Sequence, residues 1–389
     1  MNSNFIFDRP VTGKDFIGRK SECDSLAACL QRFESAAVYG PPRIGKSSLI
    51  MQTFRNMRMS HQMFDVLDVD MLPVRTLEQF CSVFGEAVIR LYASTPDEIS
   101  ALTDKYLAEG GMNFNQSGYA SDDTVLTFSK APDLQTLRLL LMLPFRLADD
   151  SGRAVYIHLR CFQNVLFFED CDAFLKCLVS CLNESASVFT SPKCAYVFNG
   201  SAHNAMKSIF DRKHIFGKSV NVFTLNAVEQ NAAVPEISRK MLSSGKVLDQ
   251  QSAAAIYNFF RGNIGIINHF CSLCDFLSRG YVQDMILQEA LSLLLGTYEP
   301  VFESMVSDLT SYQVSLLKAI LDGNVRLGSA EMIRKYGLNS SANVKRLKDA
   351  LVKKEIISFD RQDVPYFLNH LFEIWLDRRY FKSNKIAFL

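Results

Sequence analysis

The sequence predicts an α/β protein with a parallel β-sheet, followed by a helical region and a small C-terminal domain of helices and a hairpin. Up to about residue 225, short apolar runs alternate with helical patterns, which is typical of β–α repeats around a parallel sheet. Beyond that point only helical periodicity continues, until two short strand patterns appear near the C-terminus. We therefore expect three domains, at residues 1–225, 226–300 and 301–389.

The composition is that of a globular protein, with 48% apolar and 21% charged residues. The formal charge of +1 gives no general attraction to nucleic acid or to anionic membranes. No apolar run reaches the roughly 18 residues that a membrane span needs, and the N-terminus lacks the pattern of a signal peptide. Because the 10 cysteines occur without a secretion signal, we expect reduced thiols and a cytoplasmic protein.

The first domain is predicted to contain a sheet of about five strands, four of which are assigned to apolar runs. The predicted strands are 35–40, 64–71, 154–159 and 194–198, and the predicted helices are 20–34, 47–57, 76–92, 133–147 and 172–182. Residues 93–132 are polar, with several Gly and Asn residues. We expect them to form an irregular, partly mobile insertion with one short strand at 124–128.

Residues 40–48 carry the strongest functional signal in the chain. They follow a strand pattern, precede a helix and match the glycine-rich loop that cradles phosphates, the P-loop: Gly40, Pro41, Pro42, Arg43, Ile44, Gly45, Lys46, Ser47 and Ser48. The glycines let backbone amides approach the β-phosphate. Lys46 brings a positive charge to the β- and γ-phosphates, and the Ser47 hydroxyl can ligate Mg²⁺. The sequence therefore predicts a nucleotide site.

The last part of the chain has the pattern of a winged helix. Helices at 311–321, 329–336 and 341–354 precede strands at 356–359 and 365–368. From residue 311 onward there are 14 Lys and Arg against 8 Asp and Glu, and Lys345, Arg346 and Lys348 lie on the third helix. Such a helix can enter a DNA major groove. The same cations can also be a solvated face of a domain that is structural or docks a protein.

Together these features resemble the archaeal-type ATPases of the STAND branch of the AAA+ P-loop NTPases, over almost the whole chain. The resemblance implies ATP or ADP with Mg²⁺ as ligands, and helices at 228–241, 252–260, 264–279 and 283–295 as a lid. It also implies a partner protein and allows an oligomer. By this resemblance, Phe16, Gly18 and Arg19 belong to the motif that packs near the adenine. Asn199 and Ser201 belong to the sensor-1 segment, and Gly262 and Asn263 belong to the lid.

The chain departs from the family at the Walker B motif. Where the family has Asp-Glu at the end of the third core strand, this chain has Arg160 and Cys161. A guanidinium cannot hold Mg²⁺ through its waters, and a thiol is a poor substitute for a carboxylate base. Arg160 can instead pair with the γ-phosphate of a bound nucleotide. We therefore expect a nucleotide-dependent switch or scaffold whose hydrolysis is weak or absent.

Other acids could replace the missing ones, so an active ATPase is the alternative. Glu169 follows the apolar run 165–168 and is the candidate catalytic acid, although this segment also suits a loop and a helix start. Asp68 and Asp70 end the second strand, where they either approach Mg²⁺ or cap a loop. A partner subunit could also supply the acid. A further alternative is a winged-helix DNA-binding regulator in which the nucleotide only stabilises the fold.

Two remaining polar segments have both a functional and a structural interpretation. Arg212 and Lys213 lie where AAA+ relatives often place an arginine finger or sensor, or else form a solvated basic turn. His158 lies between apolar residues of the third core strand, so we expect it to be a core residue.

Overall fold

The computed structural model describes residues 4–121, 124–211 and 213–388, with only the backbone of residues 213 and 214. Its strands are β1 Ser35–Tyr39, β2 Asp65–Asp70, β3 Met112–Phe114, β4 Leu126–Phe128, β5 Val155–Arg160, β6 Cys194–Asn199, β7 Val220–Thr224, β8 Ile357–Phe359 and β9 Pro365–Phe367. The helices of the first part are α1 Lys20–Gln31, α2 Lys46–Met59, α3 Leu77–Tyr92, α4 Pro96–Tyr106, α5 Gln116–Ala120, α6 Leu134–Ser151, α7 Cys171–Val188, α8 His203–Phe210 and α9 Lys213–Phe216. Those of the second part are α10 Gln230–Ser243, α11 Gln250–Phe259, α12 Ile264–Leu277, α13 Asp284–Ser307, α14 Ser311–Leu321, α15 Ala330–Tyr336, α16 Ser341–Lys353 and α17 His370–Trp375.

The central sheet has five parallel strands in the order β2-β5-β6-β1-β7, which confirms the predicted α/β fold class. The P-loop strand β1 lies between β6 and β7, and β5 is separated from it by β6. Because all five strands are parallel, their carboxyl ends share one edge, which is where α/β sheets bind ligands. The edge strand β7 was not among the predicted strands.

Side chains alternate between two faces of this sheet. Val38 and Val197 point to one face and pack with α1 and α2, while Tyr39 and Phe198 point to the other and pack with α3, α6 and α7. Helices therefore cover both faces of the sheet. The candidate site lies instead at the edge where the carboxyl ends of the strands meet.

The insertion at 93–132 is more regular than predicted. It contains α4 and the antiparallel pair β3–β4, so the expectation of an irregular segment with one strand is wrong in this respect. Thr95 accepts from the backbone N–H of Glu98 and Glu98 binds back to the cap, with Pro96 at the first helical position. This capping box is a local sequence signal for a helix start.

The lid helices and the C-terminal domain share one hydrophobic core. Phe260 and Phe270 from the helical region pack in the same buried cluster as Phe302, Phe372 and Trp375. The predicted boundary at residue 300 falls inside α13, which is continuous, so the three-domain division stays a prediction. Within α13, Pro300 follows Gly296 by four residues, so one helical hydrogen bond to the Gly296 carbonyl lacks its donor. No helix among the described residues is long and apolar enough to cross a membrane.

Candidate nucleotide site

The P-loop connects β1 to α2 through a backbone that requires glycine. Gly45 has a φ of 100°, a left-handed value that favours glycine. A Cβ at Gly40 would lie 2.6 Å from the carbonyl oxygen of Leu225, so no larger residue fits there without displacement. The loop therefore turns tightly and presents the N-terminus of α2 to the edge of the sheet, as phosphate binding needs.

Lys46 is buried, with 8% of its surface exposed. Its Nζ donates to the carbonyl oxygens of Gly40 at 3.0 Å and Pro41 at 2.8 Å, so the ammonium holds the loop closed on itself. Burial lowers the pKa of Lys46 to about 8, and the negative charge of Glu355 opposes that effect. Above neutral pH, therefore, only part of the Lys46 side chains carry the positive charge that would contact a phosphate.

The end of β6 contacts the P-loop helix directly. Asn199 donates from Nδ2 to the Ser47 hydroxyl oxygen at 3.1 Å. The parallel register of β6 against β1 places Asn199 opposite Val38, just before the loop. Ser201 follows and accepts from Gln163 Nε2 at 3.3 Å. Asn199 and Ser201 both line the cavity beside the P-loop, and their sensor-1 role stays a prediction.

The end of β5 carries a paired cation instead of a free acid. The Arg160 Nε lies 2.9 Å from Asp68 Oδ1 and its Nη2 lies 3.4 Å from Asp70 Oδ2. This pairing follows from the register of β2 and β5, which aligns Asp70 with Arg160. Burial alone would raise the pKa of Asp68, but His158 and Arg160 outweigh it and hold that pKa below its usual range. Asp68 and Asp70 are therefore engaged by Arg160.

Cys161 does not supply a base. Burial raises the pKa of its thiol, so the sulfur stays protonated at neutral pH, and the residue has a left-handed φ of 56°. The described residues contain no group of three or more His, Cys, Asp or Glu side chains that could hold a metal ion. The Ser47 hydroxyl remains, but the guanidinium of Arg160 lines the same cavity and opposes a divalent cation. The residues at the end of β5 thus do not fit a tightly held Mg²⁺.

The alternative acid does not belong to the P-loop cavity. Residues Phe162–Phe167 form a 3₁₀ helix rather than a strand, and Glu169 is exposed and does not line the P-loop cavity. Asp170 accepts from the Ala173 N–H as the N-cap of α7, which is the helix-start interpretation of this segment. Arg212 lies outside the described residues, as does the side chain of Lys213.

The residues that the resemblance places near the adenine lie outside the cavity, next to the P-loop and the lid. Arg19 is buried and donates from Nη2 to the carbonyl oxygens of Ile44 at 2.9 Å and Asn226 at 2.6 Å. Gly18 has a φ of 64°, and a Cβ there would lie 2.9 Å from Val228. Phe16, Gly18 and Arg19 do not line this cavity; Arg19 contacts the loop and Gly18 lies against the start of the lid.

The segment that precedes these residues, which belongs to the same N-terminal stretch of the resemblance, crosses the site. Residues 6–13, which we call the strap, are attached to the P-loop helix: the Val11 N–H donates to Ser48 Oγ at 3.1 Å and the Gly13 N–H to Gln52 Oε1 at 2.7 Å. Arg43 Nη1 donates to the carbonyl oxygen of Phe7 at 3.3 Å. None of these contacts has a local sequence signal, because each joins residues more than 30 positions apart.

The lid meets the P-loop at the N-terminus of α12. Asn263 caps this helix and donates from Nδ2 to the Pro42 carbonyl oxygen at 2.9 Å. The Gly265 N–H donates to the carbonyl oxygen of Arg43 at 3.2 Å, and a Cβ at Gly265 would lie 2.5 Å from that oxygen. Gly262 has a φ of 66°, which allows the turn before the helix. The predicted lid residues Gly262 and Asn263 thus act beside the cavity, while Ile264, Gly265 and Asn268 line it.

These elements enclose a cavity of about 330 Å³ at the carboxyl edge of the sheet. Its walls are residues 6–11, the P-loop from Arg43 to Ser48 apart from Ile44, the ends of β5 and β6, and α12. A larger cavity of about 1060 Å³ lies at the opposite edge, where Ser35, Cys194 and Val220 begin their strands. Of these two cavities, only the smaller one contains the P-loop.

The C-terminal domain docks next to this site through Glu355. The Glu355 carboxylate accepts from the backbone N–H groups of Asn204 at 3.0 Å and Ala205 at 2.7 Å, at the start of α8. Asn204 in turn donates from Nδ2 to the carbonyl oxygens of Val352 at 2.9 Å and Ile357 at 2.8 Å. Burial raises the pKa of Glu355, against the effects of these amides and of the positive charge of Lys46.

The cations of the third helix of this domain differ in their surroundings. Lys348 pairs with Asp363 at 3.2 Å and lies over the Phe359 ring, whereas Lys345 and Arg346 are exposed on α16. Among the described residues, no ion pair engages these two. Ser340 caps α16 and two strands follow it, as predicted.

The chain combines a five-stranded parallel sheet that carries a P-loop with a helical region and a C-terminal winged helix, and known proteins share this arrangement. A family model described as a probable winged helix domain matches residues 300–378. The Walker-type ATPase of Pyrococcus abyssi has a similar fold, with a TM-score of 0.66 and 14% identity over 96% of this chain and 99% of its own. The ORC2 protein of Aeropyrum pernix in its ADP form gives a TM-score of 0.57 and 12% identity over 99% of both chains. The ORC2 structure with ADPNP and ADP gives 0.52 and 12%, over 95% of this chain and 97% of its own.

A search of curated protein sequences gave no significant match. At these identities the structural likeness establishes the fold alone. The predicted resemblance to archaeal-type ATPases with a winged helix is confirmed at that level.

Proposed function

We propose that this protein binds ATP or ADP at the P-loop and uses the bound nucleotide as a switch, with little or no hydrolysis. The observation that carries the proposal is that the lid and the winged helix both act on one loop. Asn263 of the lid donates to the Pro42 carbonyl oxygen, and the negative charge of Glu355 in the winged helix acts electrostatically on Lys46. A phosphate group that recruits Lys46 would therefore act on both elements at once. Nucleotide-bound relatives in fold, such as the ORC2 protein with ADP, support the choice of ligand.

Weak hydrolysis follows from the chemistry at the end of β5. Arg160 and Cys161 offer neither a carboxylate for Mg²⁺ nor a base for water. In our proposal any Mg²⁺ is held by the nucleotide phosphates and the Ser47 hydroxyl. The energy that drives the switch is then the free energy of nucleotide binding, which can shift an equilibrium only by its difference between the two states.

The switch is tested by Glu355→Gln, which removes a negative charge beside the phosphate site. We expect ADP to bind about fivefold more tightly at pH 7, because a carboxylate within electrostatic range of the site repels the phosphates. By reciprocity, ADP should loosen the docking of Glu355 in the unmodified chain. Calorimetric titration measures the first effect, and hydrogen exchange of the Asn204 and Ala205 amides measures the second.

The matched control is Asp349→Asn, which removes the same charge from an exposed position on α16. It should leave the ADP affinity and the exchange of both amides unchanged. Equal ADP affinity in Glu355→Gln and the unmodified chain, with no change of exchange on adding ADP, would contradict the switch.

A second candidate function is DNA binding by the winged helix, which the free, exposed cations Lys345 and Arg346 favour. We expect duplex DNA to bind at low salt with an affinity that falls steeply with salt concentration. Lys345→Glu with Arg346→Glu should weaken binding at least tenfold, whereas Lys348→Gln, at a cation already paired with Asp363, should have a smaller effect. Fluorescence anisotropy from 20 to 200 mM salt measures this, and the absence of binding at the lowest salt would exclude the function.

A further inference from the structure

Asn268 is a buried amide at the lid side of the nucleotide cavity. It lies on α12 one helical turn beyond Ile264 and Gly265, which also line the cavity, so the three residues share one face of the helix. Only 4% of its surface is exposed. Neither a catalytic role nor a phosphate contact accounts for a polar side chain at this position.

The two halves of this amide have different surroundings. Asn268 Nδ2 donates to the carbonyl oxygen of Ile6 in the strap at 2.9 Å, which fixes the orientation of the amide, because a carbonyl can only accept. Asn268 Oδ1 is buried and has no hydrogen-bond partner among the described residues. A buried acceptor without a partner costs about 1–3 kcal/mol, so its retention in a ligand cavity indicates that a ligand satisfies it.

We propose that Asn268 Oδ1 accepts a hydrogen bond from the 6-amino group of adenine and thereby selects adenine nucleotides. This inference rests on the proposed nucleotide binding and names the group that reads the base. Because Nδ2 is committed to Ile6, the side chain offers only an acceptor to the cavity. The 6-amino group is the only exocyclic donor of adenine, whereas hypoxanthine and guanine carry an acceptor oxygen at that position and repel Oδ1.

The same side chain also helps to hold the strap over the cavity. Asn268 holds residue 6 through Nδ2, Arg43 holds residue 7 and Ser48 holds residue 11, so the strap covers the cavity with few bonds. A base that binds Oδ1 leaves the Nδ2 bond to Ile6 in place, because the two contacts use different atoms of the amide. Asn268 is thus a specificity residue that also positions the strap.

The test compares four diphosphates on the full-length chain: ADP, purine riboside 5′-diphosphate, which lacks the 6-amino group, IDP and GDP. We expect ADP to bind about tenfold more tightly than the purine riboside compound and more tightly still than IDP and GDP. This part needs no variant, so it does not depend on how a substitution folds. Equal affinity for ADP and the purine riboside compound overturns the inference.

The variant Asn268→Ala tests whether the Asn268 side chain causes the preference for the 6-amino group. It should weaken ADP binding about tenfold and bring the ratio of the ADP and purine riboside affinities close to one. The matched control is Asn263→Ala, which removes another lid amide that contacts the P-loop and should weaken both ligands equally, leaving the ratio unchanged. If Asn268→Ala also leaves the ratio unchanged, Asn268 does not read the base. If no diphosphate binds in a manner that depends on Lys46, the proposed function fails together with this inference.

Discussion

Replacing Arg160 with aspartate and Cys161 with glutamate should raise ATP turnover about a hundredfold or more above that of the unmodified chain. The substitutions restore an acid that can orient Mg²⁺ and a base that can activate water, and a positioned general base alone contributes about 10²–10⁴ in rate. Steady-state release of phosphate with saturating Mg-ATP measures the effect. The triple variant that also carries Lys46→Ala is the blank, because it has the restored acids without the phosphate-binding lysine.

The ion pairs of Arg160 affect the stability of this double variant. Arg160 now neutralises Asp68 and Asp70, so the double variant removes that cation and adds two carboxylates next to these two. We therefore expect the double variant to be less stable than the unmodified chain in EDTA and to regain stability with Mg²⁺ and ATP. Cys161→Glu alone keeps the Arg160 pairs and separates the two contributions. A folded double variant whose turnover equals that of the blank would show that these two positions are not what limits hydrolysis.

Removing the charge of Lys46 should weaken ADP binding about a hundredfold, since each hydrogen bond to a charged group contributes about 1.5–3 kcal/mol. The low pKa of Lys46 adds a pH dependence. Below a pKa of about 8 the side chain is charged and binds phosphate, and above it the neutral amine must first take up a proton. ADP should therefore bind about tenfold more weakly at pH 9 than at pH 7.

Lys46→Arg is the control, because a guanidinium stays charged over this range and its ADP affinity should be the same at pH 7 and pH 9. Isothermal titration at both pH values, with circular dichroism to confirm folding, gives the comparison. An affinity of the unmodified chain that does not change between pH 7 and pH 9 would mean that Lys46 is fully charged at the higher pH. Retained affinity in Lys46→Ala would place the nucleotide elsewhere.

The sequence was informative where a local pattern dictates structure. Strands β1, β5 and β6 are buried apolar runs with clear ends, whereas the predicted edge strand β2 is only partly buried. Ser340 marks the start of α16 by its capping chemistry. Edge strand β7 was not predicted; only Val220 of its five residues is buried, so it lacks a buried apolar run. Helix α4 has a capping box that the polar composition of the insertion obscured.

The site was predictable only in part, for a physical reason. The P-loop is a contiguous motif, so Lys46 and Ser47 could be assigned from spacing alone. Asn268 meets Ile6 across 262 positions, and Glu355 meets Asn204 across 151. Periodicity places such residues on a helix or in a turn but does not say what they contact. The pairing of Arg160 with Asp68 likewise depends on the order of strands in the sheet, which joins residues 92 positions apart.

Helix α13 is a long, continuous connection between the lid helices and the winged helix. Its 24 residues span about 36 Å, and it begins among the lid helices and ends at the winged helix. A rigid rod of that length converts a tilt of about 5° at one end into a displacement of about 3 Å at the other. The missing hydrogen bond between Gly296 and Pro300 gives the rod one compliant joint, close to the point where the winged helix begins. In the switch that we propose, this helix would amplify small adjustments around a phosphate group into a change of orientation of the winged helix, and the stiffness of the joint would set how much is transmitted.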